Sequence, residues 1–304
     1  MNWKQAKRII IVMLAALNIV LFVVNRYYNN DYRLTQDEEN AAYRILAENG
    51  IGIYTNFITE YKPMRQLDVT VSDPDIDELK SIFFDADDAV DVTADIEKTV
   101  MHSYSAELTV ENSKISYVSN TGIGEINVLG NSAAQSLASD FIHKMGDKYS
   151  AYVLDRVIYK NGGYQLEYYE YYKGYKIFNN YCIFFIDENG IRSIESEDYD
   201  INGFAESSED IYSSAEAVLT YIYENKNESN AGKFIEEMEI GYDFKDTDEI
   251  VDGSKMRLVP CYRIYLLNED EPFTIYAYTN KAKVNTDMAQ PLQGMSVLDE
   301  SAVQ

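Results

Sequence analysis

The chain has 304 residues, and its 51 acidic against 26 basic side chains give a net charge of −25. A surface of that sign repels phosphates and lacks the basic footprint that nucleic-acid binding needs, which excludes DNA and RNA as partners. The 46% hydrophobic content, with 27 Tyr and 12 Phe, excludes a disordered acidic tail and suffices for one large core or two ordinary ones.

At the N-terminus, an apolar run from Ile9 to Val24 is broken only by Asn18. As a helix, these sixteen residues span roughly 24 Å, against roughly 30 Å for a bilayer core. Trp3, Lys4, Lys7 and Arg8 on one side and Arg26, Tyr27 and Tyr28 on the other are amphipathic enough to reach the interfaces. No small-residue pair follows the run, so a cleavable signal is the weaker reading and an uncleaved transmembrane anchor over 9–25 is expected. Lys4, Lys7 and Arg8, with no acid before them, predict a cytoplasmic N-terminus over 1–8 and an extracellular remainder, in a single-pass cell-membrane protein. A lone amide in an apolar span usually finds a partner on a neighbouring helix. Asn18 shares a helical face with Ile11, Leu14, Ala15, Leu21 and Phe22, and these six are the expected partner contacts; a bond to its own helix backbone is the alternative.

The next stretch, "NDYRLTQDEENAAYRILAENGIG", carries a capping box at Thr35 and Glu38, acids in the first turn, one apolar face of Ala42, Ile45 and Leu46, and an Asn49-Gly50 stop. It predicts a helix of about 13 residues. A strand from about 66 to 71 follows, then "SDPDIDELKSIFF", where Asp73 caps, Pro74 takes the first helical position and Ile76, Leu79, Ile82 and Phe83 form a stripe. "SYSAELTVENSKISYVSN" reads as two strands around Glu111, Asn112 and Ser113. A first α+β unit thus covers 35–124.

Helical spacing over Ala134, Leu137, Ala138, Phe141, Ile142 and Met145 follows Ser132, and the pattern returns 81 residues later after Ser213. Strand-like runs follow each helix: 152–159, 164–172 and 181–186, then 234–244, 256–267 and 273–278. The predicted fold class is α+β: a transmembrane helix, then an ectodomain of helix-plus-antiparallel-sheet units. The second unit spans 131–204 and the third, its repeat, 211–285, with a flexible tail at 286–304.

Chemistry is sparse. His102 and His143 have no second ligand at metal spacing, no nucleophile or P-loop motif occurs, and neither "SDPDIDE" nor "DFKDTDEIVDG" has the register of a calcium loop. No metal, cofactor or enzymatic activity is expected. Cys182 and Cys261 are too few for a disulfide framework and read as buried free thiols, with one bridge as the alternative. The stretch "YQLEYYEYYKGYKIF" stands out. Tyr164, Tyr168, Tyr169, Tyr171, Tyr172 and Tyr175 form either a ligand surface for wall glycan or peptide, or the ordinary rings of a half-buried sheet.

The start "NWKQAKRIII", the single helix and the tyrosine-rich acidic remainder resemble the YycI family of Firmicutes. The resemblance implies a non-enzymatic regulator that tunes a cell-wall-sensing histidine kinase of the WalK (YycG) type together with a YycH-like partner, through transmembrane and extracellular contacts. It also implies PepSY- or YycH-type modules. The alternative function is a cell-surface binding protein for wall glycan or peptide, its helix only a tether.

Overall fold

The computed structural model describes residues 3–72, 74–95, 98–226, 230–245, 255–269 and 271–283. On the first helix, α1 (Trp3–Asp31), it describes side chains only at 3, 7, 10–22. The expected tail at 286–304, the cap Asp73 and most of "DFKDTDEIVDG" lie outside the described residues.

Among the described residues no helix is long and apolar enough to cross a membrane. That overturns the transmembrane anchor expected at 9–25. The apolar run is a sixteen-residue part of a 29-residue helix, interrupted at Asn18, and falls short of a bilayer core. The expected α+β balance is corrected as well: among the described residues strands hold 47% and helices 26%, and the strands join in one 15-stranded sheet.

In chain order, α2 (Gln36–Glu48) opens on the Thr35–Glu38 capping box and buries Ala42 and Leu46. Then come β1 (Gly52–Ile53), β2 (Met64–Val71) and α3 (Ile76–Phe83). The cap of α3 is Asp75, whose carboxylate accepts from the amides of Asp77 and Glu78, so the helix starts beyond Pro74. Strands β3 (Asp91–Ala94), β4 (Lys98–His102), β5 (Ala106–Glu111) and β6 (Lys114–Ile123) form an antiparallel meander. Asn112 makes the β5–β6 turn with φ 51°, the left-handed geometry that Asn tolerates.

Helix α4 (Asn131–Lys144) and a 3-10 turn (Asp147–Ala151) lead into β7 (Tyr152–Lys160), β8 (Gly163–Tyr172), β9 (Tyr175–Asp187) and β10 (Gly190–Glu197). After β11 (Tyr199–Glu209), α5 (Ser214–Glu224) precedes β12 (Phe234–Phe244), β13 (Lys255–Leu266), β14 (Phe273–Tyr276) and β15 (Lys281–Ala282). Both α4 and α5 are therefore followed by an antiparallel three-strand meander, β7–β8–β9 and β12–β13–β14.

Among the described residues two large cores lie against this sheet, beside a small third cluster of Phe178, Val259, Cys261 and Tyr276. In one, α3 and α4 cover Leu108, Tyr117, Leu166, Phe184 and Ile194. In the other, α2 and α5 cover Leu67, Val69, Tyr242, Tyr262 and Ile264. Strand β2 pairs β11 and β13, so residues on both sides of the 76–197 region share the second core. The cores meet at β9. Its residues 181–187 pair with β10, whereas Lys176 and Ile177 pair in parallel with Gly241 and Tyr242 of β12. Gly241 is required there: a Cβ would lie 2.5 Å from the Lys176 carbonyl oxygen and 2.7 Å from the Phe178 ring.

Helix α5 has its own capping box, in which the Ser213 hydroxyl accepts from the Glu216 amide and the Glu216 carboxylate accepts from the Ser213 amide. Ser213→Ala is expected to cost about 1 kcal/mol in urea unfolding. An unchanged midpoint would mean that packing against β13 and β14 alone sets the helix start.

Candidate functional site

Where the two meanders diverge, β7 and β8 on one side and β12, β13 and the turn after β13 on the other leave a cleft of about 1160 Å³. Its floor residues Asp155 and Tyr265 belong to a network held at the β9 seam. The Lys176 ammonium, only 2% exposed, donates to Asp155 at 2.8 Å and to both oxygens of Glu239 at 2.7 Å. Tyr265 donates to Glu239 at 2.9 Å and Tyr171 to Asp155 at 3.1 Å. One buried cation thus holds a carboxylate from each meander, and both carboxylates are further satisfied by phenols, as buried charges must be.

Arg156 crosses the cleft to pair with Glu237, and its guanidinium carbon lies 3.7 Å from the Tyr265 ring centroid. Burial works against this charge, yet Tyr265 and Glu237 outweigh it and raise its pKa, so the cation is permanent. Burial, opposed by Arg263 and helped by neighbouring carboxylates, pushes the Tyr169 phenol up to about 12. Arg263, which also lines the cleft, pairs with Asp243 at 3.0 Å and lies 4.0 Å from the Phe178 ring centroid. The rim is aromatic: Tyr54, 67% exposed, stacks on Phe234 with centroids 5.0 Å apart, and Tyr159 is 64% exposed.

Both walls are irregular where they face the cleft. The β7–β8 register shifts between Leu154 and Arg156, and the β12–β13 register shifts between Ile235 and Glu237. Bulges of this kind re-aim side chains, here Asp155 toward Lys176 and Glu236 toward the opening.

The tyrosine run at 164–175 does not form one surface. Tyr164 and Tyr168 face the α4 core, the latter edge-on to Phe184 at 5.8 Å. Tyr172 meets Phe204 at 5.1 Å and Tyr175 meets Tyr242 at 5.7 Å, both against the other core. Tyr171 is 40% exposed, and Tyr169 alone of the six lines the cleft. A register shift between Tyr169 and Glu170 splits the set. Tyr54, Arg156, Tyr159, Glu237 and Tyr265 were not singled out by sequence; alternation in 152–159 was the one signal for Arg156, and nothing local tied it to Glu237.

Ile11, Leu14, Ala15, Asn18, Leu21 and Phe22 all lie exposed on α1. The His143 Nδ1–H donates to the Ser139 carbonyl, 2.6 Å away, and His102 lies 3.7 Å from Glu107. Among the described residues no three His, Cys, Asp or Glu side chains are grouped to hold a metal ion. Cys182 and Cys261 are free and fully buried, and burial raises both thiol pKa values. Neither thiol is expected to react with iodoacetamide at pH 8 until the protein is unfolded, which mass spectrometry reads directly.

No known protein family matches the sequence, and no curated protein matches it. Among solved structures, an uncharacterized protein from Eubacterium rectale is similar at TM-score 0.53 and 11% identity, over 77% of this chain and 91% of that one. This likeness is one of fold. A second structural neighbour is the YpeB C-terminal domain of Bacillus megaterium, at TM-score 0.40 and 12% identity over 71% of this chain and 97% of that one.

Proposed function

We propose that the chain works by binding rather than catalysis, and that the cleft between the two meanders is its ligand site. The observation that carries this reading is the cleft itself. It is a concavity of about 1160 Å³ with an aromatic rim, walls of both charges and a floor fixed by the buried Lys176 network. Rigid floors with exposed aromatic anchors are how recognition sites concentrate affinity. The ligand class is a polar polymer of the cell surface, wall glycan or peptide.

A finer reading is a YycI-like regulator that tunes a WalK-type sensor histidine kinase with a YycH-like protein. What favours it is the "NWKQAKRIII" start together with the two helix-plus-meander modules. In this reading the cleft is the contact surface for the kinase sensor domain or the YycH-like partner.

Both readings are tested by titrating the full chain with a chito-oligosaccharide, a hexapeptide library, a purified WalK-type sensor domain and a YycH-like protein. Tyr54→Ala is expected to weaken binding about tenfold, the loss of one exposed aromatic anchor. Turnover of any of these probes, or binding indifferent to Tyr54 and Glu237 substitutions, would refute the cleft as a recognition site.

A further inference from the structure

The cleft meets β7 along its edge as well as its face. All six consecutive positions 155–160 line it, whereas β8 contributes only Gln165, Glu167 and Tyr169. Side chains alternate across a strand, so alternate lining marks a strand seen face-on and consecutive lining marks one approached from its side. Among the described residues β8 is the one strand paired with β7, which leaves the outer edge of β7 with backbone N–H and C=O groups that no strand takes up. Such an edge is a template for another extended chain.

The volume and the charge specify what fits. About 1160 Å³ exceeds the roughly 300–1,000 Å³ of small-molecule pockets, and six strand positions span roughly 20 Å. The carboxylates of Asp155, Glu167, Glu236, Glu237 and Glu269 outnumber the cations Arg156, Lys160 and Arg263 in the lining. Asp155 is taken by Lys176, Glu237 by Arg156 and Glu269 by Lys233 at 3.3 Å, while Glu236 is exposed at the opening.

Resting on the binding role proposed above, we infer that the ligand is an extended peptide segment of a partner protein, which adds as a strand to the outer edge of β7 and directs basic side chains at the Glu236 wall. Main-chain bonds to β7 supply affinity, and alternate side-chain positions supply choice of sequence.

The test uses the full chain and a positional-scanning library of acetylated, amidated hexapeptides. Enrichment of Lys or Arg at alternate positions is expected. In the best binder, N-methylation of one alternate set of residues should weaken binding at least tenfold, while methylation of the other set should leave it within twofold. Glu236→Lys should weaken the same peptide several-fold. Peptides that bind with methylation tolerated everywhere, or no peptide bound below 1 mM, would overturn strand addition; in the latter case the bulge and charges of β7 serve to keep its edge unpaired. A chito-oligosaccharide bound in a Tyr54-dependent way, with no peptide bound, overturns this inference and leaves the binding role standing. Binding of neither probe nor of the protein partners removes both.

Discussion

Lys176→Met is expected to destabilise the protein by about 3–5 kcal/mol and to lower its melting temperature by roughly 10 °C. Lys176 sits where β9 pairs with both β8 and β12, and its 2%-exposed ammonium is the shared partner of Asp155 and Glu239. Methionine fills similar volume but leaves two mostly buried carboxylates facing each other, and removing one partner of a buried set costs more than replacing the whole set. Adding Asp155→Asn and Glu239→Gln to Lys176→Met should therefore restore most of the loss. Urea unfolding of the three proteins checks this; a single variant within 1 kcal/mol of the parent would show that the seam is held by backbone pairing alone.

The second large effect is at Asp243, which is fully buried on β12 opposite Val259 of β13. Its carboxylate accepts from Lys283 at 2.8 Å, from Arg263 at 3.0 Å and from the Phe244 amide at 2.8 Å. Burial alone would raise its pKa; Arg263 and Lys283 reverse that and hold it below the ordinary aspartate range. A depressed folded-state pKa means that the unfolded chain binds the proton more readily. The stabilisation is then complete above the unfolded value, about 3.9, and is lost as pH falls through the folded value. Asp243→Asn should cost about 3 kcal/mol at pH 7, because it leaves two cations with a neutral partner. The gap between variant and parent should stay constant from pH 7 to about 5 and close below about pH 4. A gap that grows on acidification would contradict the charge assignment.

What the sequence shows plainly is whatever is decided within a few residues. The capping box at Thr35–Glu38 is read directly from spacing, and so is the Asn112 turn. The Asp75 cap is a near miss of two positions, because Asp73 precedes a proline that looks equally suitable for a helix start. The α1 segment misleads for a different reason: hydropathy weighs each residue alone, and fifteen apolar residues around Asn18 look sufficient until the whole helix is considered.

The cleft is hidden because every one of its organising contacts is distant in sequence. Arg156 and Glu237 are 81 residues apart and Lys176 and Glu239 are 63 apart. The bulges matter as much. Alternation predicts which face a residue takes only while the register is kept, and the shifts at Leu154/Arg156 and Tyr169/Glu170 break it in two of the strands that line the cleft. That is why a run of six tyrosines looks like one surface and instead divides between two cores, with Tyr169 left in the cleft.

The most direct test of the binding role is amide hydrogen exchange on the full chain, with and without the best hexapeptide from the library. Protection concentrated on 155–160, with smaller changes at 236–237 and 265–269, is the result expected for a strand added in the cleft. Protection confined to α1 or to the outer face of α5, with β7 unchanged, would place recognition elsewhere and contradict it.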